Sequence, residues 1–483
     1  MNAEADILSA RRSLRAVIVA GGIGTSIVFI IAGLSSGLEM FGDGSIFSYA
    51  IAAQDAWAFH WHNISGRLFT YIFVDLPAEA VVALTGSAKT GIAVYGLLFF
   101  AAPLFGLLAT LAADRTAGRV IFGYACLSTL CLCPLVFGAP TEMWMAHAVV
   151  WPALAVCIGA PTNWRGVAAV FIVLLALIFT HGGAVIFAVA IIFVVFLRGG
   201  CDAIFVRALT AFVAAMAIWA VVKLALPPDD YIAGVLMAAA YRFIDVRNLA
   251  QPAVVLLLAA LAAYTFACVL LRRLGVHRAA GYAALACVVA ISIYWIWFDR
   301  SLLAEDRYNL RTALLVMVPV FGILAAVQAM PEEARRRSAF PFLTQLAGAA
   351  EKYANPQFII GALLLTMLVH AVETSKFLWA WTNYKSAVRA LAMSIESDPD
   401  LGDPHFVSSH RIDPESNRLS WNSTTPYLSV LLAPGFNPAR LVVDPGAGYF
   451  WLSCDTARRS EQNSTPISEN ARRLIRLYSC LHR

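Results

Sequence analysis

Uninterrupted apolar windows of about twenty residues recur along the whole chain, and no other feature limits its folding as much. Each is long enough for a helix to cross a hydrocarbon core of ~30 Å with every backbone hydrogen bond closed internally. Eleven can be drawn, at 16–38, 91–112, 120–138, 144–160, 166–180, 184–197, 208–226, 252–271, 279–298, 312–329 and 357–378. With 60% of its 483 residues hydrophobic, 13% charged and a mean hydropathy of +0.73, most of the chain cannot fold as a water-soluble globule. The expected class is an all-α polytopic membrane protein. The first window is longer than the apolar core of a leader and lacks a small-residue cleavage site, so it is read as a retained signal-anchor, with the mature protein starting near Met1.

Basic residues set the expected orientation. With the N-terminus inside, fifteen Lys and Arg, among them Arg11, Arg12, Arg119, Arg207, Arg272 and Arg335, fall in cytoplasmic segments. Only seven lie in the outer loops before the tail: Arg67, Lys89, Arg242, Arg247, Arg300, Arg307 and Arg311. That asymmetry follows the positive-inside rule. It depends on the apolar stretch 68–86, "LFTYIFVDLPAEAVVALTG". As a twelfth span it would send the basic loops "RRLGVHR" and "EEARRR" outside, and it would put Asp75 and Glu79 near mid-bilayer at a cost of several kcal/mol. Residues 42–90 are therefore read as one extracytoplasmic excursion carrying an interfacial or re-entrant helix. The alternative is a true span whose polar residues face the bundle.

From about Trp379 the composition turns polar, and 379–483 is read as a small α/β extracytoplasmic domain. Within it "YLSVLL", "RLVVD" and "YFWLSC" have the look of short buried strands, and "SENARRLIRLYSCLHR" has helical spacing. Cys454 and Cys480 would meet an oxidising compartment there, as a disulfide or as two free thiols. Seven of the nine cysteines lie in or beside apolar spans, where a thiol serves as a small hydrophobe, and "TLCLCPL" lacks partners at zinc spacing. No internal repeat is visible, which weighs against a transporter built from duplicated halves.

On this topology the chemistry-bearing residues collect at the outer face. The first loop supplies Asp43, Asp55, His60, His62, Arg67, Asp75 and Glu79, and later loops add Glu142, His147, His181, Arg307 and Arg311. Arginines can fork onto a phosphate leaving group while a carboxylate or imidazole takes a proton from an attacking hydroxyl, so this set suits a lipid-linked anionic substrate. A divalent metal on hard carboxylate oxygens would help neutralise the phosphate. Asp43, in "GDGS" at the outer end of the first span, stands out because glycine on either side lets a ligand approach the backbone. His60 and His62 in "HWH" are candidates for acid/base work or for a metal in extended chain, since alternate residues of a strand face one way. Arg307 and Arg311 in "DRYNLR" sit one helical turn apart as a phosphate clamp. For each of these the competing reading is an ordinary solvated loop residue or a cation snorkelling to lipid headgroups.

An aspartate just after the first span in a long outer loop, about eleven spans, polar outer loops and a C-terminal extracytoplasmic domain together resemble the GT-C superfamily of membrane glycosyltransferases. "GDGSIFSYA" is similar to the Asp-x-x-x-x-x-Tyr pattern of bacterial members. There is no "DE" pair and no "WWDYG"-like motif, so no subfamily follows. The resemblance implies transfer of a sugar from a polyprenyl-phosphate-linked donor to a glycan or glycolipid acceptor outside a bacterial inner membrane, with no nucleic-acid partner. It makes Asp43 the catalytic or acceptor-orienting carboxylate. The rival readings are a polysaccharide polymerase or ligase, a transporter or flippase, and a non-catalytic envelope protein.

Overall fold

A computed structural model of the chain describes residues 2–54, 56–57, 67–132, 142–225, 245–276, 278–298, 308–330, 355–394, 406–417, 419–420, 424–433 and 442–444. The first helix, α1 (Asn2–Ser36), ends at Gly37, whose φ of +66° is the left-handed C-terminal stop that glycine adopts without strain. After a single 3₁₀ turn comes α2 (Asp43–Ala52), and then α3 (Leu68–Thr85), which is continuous through a π-helical turn at Tyr71–Asp75. Gly86, also left-handed, stops α3, and the Ser87 hydroxyl caps α4 (Ala88–Ala113) by accepting from Thr90 N at 3.3 Å.

The bundle continues with α5 (Val120–Leu132), α6 (Met143–Gly159), α7 (Trp164–Ile178), α8 (Ala184–Gly199) and α9 (Ala203–Ala225). Then come α10 (Pro252–Arg273), α11 (Ala279–Ile293, carried on by a π turn), α12 (Tyr308–Gln328) and α13 (Pro356–Ser394). Seven of the helices among the described residues are long and apolar enough to cross a membrane, α3 included, and five more are apolar but shorter. The chain is thus a polytopic helical membrane protein whose apolar outer faces suit a lipid bilayer.

Small residues let the helices approach closely, as packing in lipid requires. A Cβ on Gly22 would stand 2.6 Å from the backbone of Cys126 on α5, and one on Gly106 of α4 would stand 2.4 Å from the Ala148 carbonyl on α6. Apolar side chains form three cores. One joins α5 to α9 with α12, a second joins α10 and α11 to the first half of α13, and the third gathers α1, α2, α3, α4 and the second half of α13.

That third core extends into the tail. Helix α13 runs unbroken to Ser394, fifteen or so residues beyond the composition change at Trp379, because Trp381, Tyr384 and Val388 keep one face buried. The stretch read as a strand at "YLSVLL" is instead a helix, α14 (Thr425–Leu432), started by Pro426 in its first turn. A short apolar run carries no period of its own, so burial of Tyr427, Leu428, Val430 and Leu431 against the third core decides the matter. The "RLVVD" stretch does contain a strand, β2 (Val442–Asp444), which pairs in parallel with β1 (Phe406–Ser408). "YFWLSC" and the last helical pattern lie outside the described residues.

Candidate functional site

The turn between α1 and α2 takes six residues, 37–42, and Glu39 within it lines the same cleft as Asp43. Glu39 closes this turn through its backbone, its carbonyl accepting from Ser48 Oγ at 3.1 Å, and a Cβ on Gly44 would collide with that carbonyl at 2.3 Å. The glycine following Asp43 is therefore a close-approach residue, although the group that approaches is the protein's own backbone. Asp43 is the first residue of α2, where the unpaired N–H groups and the helix dipole favour a negative charge.

A narrow, partly open cleft lies beside this turn. Glu39, Asp43 and Glu142 line it, with Phe41, Phe47, Tyr95 and Phe99 as its aromatic walls. The carboxylates of Glu39, Asp43, Asp75 and Glu142 all fall within electrostatic reach of Tyr95 on α4. Glu142, just ahead of α6, is 4% exposed and pairs with Arg67 at 2.9 Å (Nη1 to Oε1). Arg67 is brought there by α3: Phe69 N donates to the Phe179 carbonyl at 3.1 Å and Thr70 Oγ1 to the Thr180 carbonyl at 3.0 Å, fastening the start of α3 to the loop after α7.

Glu39 is the cleft residue with no sequence signal of its own. It is 9% exposed, and its Oε2 has no hydrogen-bond partner among the described residues. Burial pushes its carboxyl up to about 7, against the opposing pull of a backbone hydrogen bond and of Lys385. Gly96 makes room for it, since a Cβ there would lie 3.2 Å from Glu39 Cβ and 3.3 Å from Oε2. The Lys385 ammonium is spent elsewhere. It donates to the Ser36 carbonyl at the end of α1, which also accepts from Trp381 Nε1 at 3.0 Å. One carbonyl left over by the helix end thus receives two donors from α13.

The tail seats the Asp43 helix from the other side. Ser45 Oγ donates to the Thr424 carbonyl at 3.1 Å, the rings of Tyr49 and Tyr427 meet edge to face at 5.4 Å, and Tyr384 Oη lies 3.1 Å from Thr425 Oγ1.

Of the residues expected at the site, Asp43, Glu142 and Arg67 do come together, and Asp75 lies close by. His181 is adjacent but turned to structure: its Nδ1 accepts from Gly183 N at 3.0 Å and holds the turn that precedes α8. His147 faces into the bundle, 3.1 Å from Ser128 Oγ. His370, Glu373 and Lys376 make their own cluster away from the cleft, with His370 Nε2 2.7 Å from the Cys131 carbonyl and Lys376 3.5 Å from Glu373. Asp55, His60, His62, Arg307, Cys454 and Cys480 lie outside the described residues, as does the side chain of Arg311. Among the described residues no group of three or more His, Cys, Asp or Glu is arranged to hold a metal ion. Comparison with protein-family models, with curated proteins and with solved structures finds no match to this chain.

Proposed function

We propose that the chain is a GT-C-like membrane glycosyltransferase, moving a sugar from a polyprenyl-phosphate-linked donor to a cell-envelope or surface-glycan acceptor at the cleft beside Asp43. The observation that carries this reading is the convergence at one bundle end of Asp43 on a helix N-terminus, a buried Glu39 whose Oε2 has no hydrogen-bond partner among the described residues, and the Arg67–Glu142 pair. Carboxylates supply the base and the acceptor contacts. Arg67 meets Glu142 through Nη1 alone among the described residues, which leaves its other donors for a phosphate. Arg307 and Arg311 are assigned the same task from their place in the chain.

Parity supports the topology that goes with it. Helix α14 touches α2 directly, so an even number of crossings separates Asp43 from Thr425. Counting α4 to α13 gives ten, and α3 as a further crossing would make eleven. The contacts of α3 agree: its start is bound to the Phe179–Thr180 loop and its last turns pack on Gly91 near the beginning of α4. Among the described helices these contacts support the reading in which α3 belongs to the first extracytoplasmic loop, eleven spans cross the membrane and the tail shares the outer side with Asp43.

Asp43→Asn is expected to abolish transfer from a panel of polyprenyl-phosphate-linked sugars while the protein still inserts and elutes as a single folded species. Near-normal transfer would sink the assignment. A transporter is the second reading, favoured by one observation: His370, Glu373 and Lys376 are buried within α13, where an ion pathway would need them. Substrate uptake into vesicles that is lost with Glu373→Gln and kept with Asp43→Asn would replace the first reading with this one.

A further inference from the structure

The cleft contains two acids in unlike surroundings. Asp43 is half-buried at the N-terminus of the ten-residue α2, where the helix dipole favours a negative charge. At Glu39 burial outweighs the support that a backbone hydrogen bond and the Lys385 charge give its anion. Glu39 sits within a tight 3₁₀ turn rather than at the head of an α-helix, makes no ion pair among the described residues, lines the cleft, and has a buried Oε2 with no hydrogen-bond partner among the described residues. The charged and titratable groups around it are Lys385 from α13, Asp43 from α2, Tyr95 from α4, and Glu142 with its partner Arg67. Lys385, the nearest cation, is already engaged by the Ser36 carbonyl. A buried carboxylate oxygen without a partner costs free energy unless something occupies it in the working state, and an O–H donor is what fits. The described residues do not offer a metal alternative.

We propose that Glu39 is the proton-accepting carboxylate of the reaction and that Asp43 orients the acceptor. This rests on the transferase reading above. The acceptor hydroxyl donates its hydrogen bond to the Glu39 carboxylate, which lines the cleft. As its oxygen forms the new bond to the anomeric carbon of the donor sugar, the bond from that carbon to the phosphate oxygen breaks, polyprenyl phosphate leaves with the bonding pair, and the hydroxyl proton passes to Glu39. A carboxyl lifted to about 7 by burial is matched to accept that proton near neutral pH.

The test measures release of polyprenyl phosphate from a panel of polyprenyl-phosphate-linked hexoses and pentoses, with alkyl glycosides as acceptors, across pH 5–9. Polyprenyl phosphate alone serves as a thermal-shift probe of donor binding. For the unaltered protein, turnover is expected to rise with pH through about 7. Glu39→Gln is expected to lose about 100-fold or more in turnover, and with it that acidic limb, while keeping its thermal shift. Gly96→Ala, which presses a methyl group against the Glu39 side chain without removing it, is expected to lose about tenfold and to move the limb. It also keeps the proposal testable if the glutamine variant fails to fold. Turnover in Glu39→Gln within threefold of the unaltered protein, with the limb intact, overturns the role of Glu39 and leaves the transferase reading standing. An unaltered protein that releases nothing from any donor and shows no shift overturns both.

Discussion

The two ends of the bundle use their polar residues in opposite ways. At the end that includes the Asp114 and Pro161 turns, polar side chains close helix termini. Asp114 accepts from Thr116 N at 2.8 Å and from Phe122 N at 2.9 Å, and Asn163 accepts from Gly166 N at 3.1 Å. Arg207 gives its guanidinium to the carbonyls of Cys157, Ala160 and Pro161 at 2.6, 2.5 and 2.8 Å. Four of the carbonyls at any helix end need partners, and here side chains provide them. At the Asp43 end, Glu39, Asp43 and Glu142 line a cleft with aromatic walls, and Glu39 keeps an oxygen without a hydrogen-bond partner among the described residues. Charge alone therefore does not mark a site in such a chain; charge that the fold has not used does.

That contrast can be broken from either side, and the largest effect is expected at the capping end. Arg207→Ala strips three carbonyls of their partner and is expected to cost about 3 to 5 kcal/mol, seen as a collapse in folded yield. Transfer per folded molecule should stay within about twofold; a specific loss of turnover would show that the two ends are not separate in function. Next comes the pH dependence of stability. The folded-state value for Glu39, about 7, lies above its ordinary 4.5, so its contribution is fully present below about 4.5 and is gone once the pH has risen through about 7. The contribution is on the order of 3 kcal/mol. The melting temperature of the unaltered protein should therefore fall across that window, and the Glu39→Gln profile should be flatter there. The smallest effect is expected from Trp381→Phe, which removes the indole donor to the Ser36 carbonyl and leaves Lys385 in place. About 1 kcal/mol of stability should go, read as a drop of a few degrees in melting temperature.

The membrane class and the place of Asp43 just past the first span could be read from the sequence because both rest on local pattern: apolar windows of a fixed length, and an acid set among glycines at the end of one of them. Glu39 could not. As a letter it is one more carboxylate just past a span, and only Gly96 opposite and the burial it permits give it a role. The Arg67–Glu142 pair was hidden for a related reason, since both residues were legible as outer-loop charges while the fastening of α3 to the Thr180 loop that joins them was not. "YLSVLL" misled because a run of apolar residues that is buried on several sides has no amphipathic period to read.

The hydrogen bond from Ser45 to the Thr424 carbonyl joins positions 379 residues apart. At roughly 5 to 20 residues per second, the ribosome needs on the order of half a minute to a minute to make the second partner after the first. Through that interval α2 has been synthesised without the helix that finally covers it, and its Tyr49 waits for Tyr427. The helix that seats α2 is thus made long after α2 itself, so a nascent copy passes through the insertion machinery with that face of α2 still uncovered.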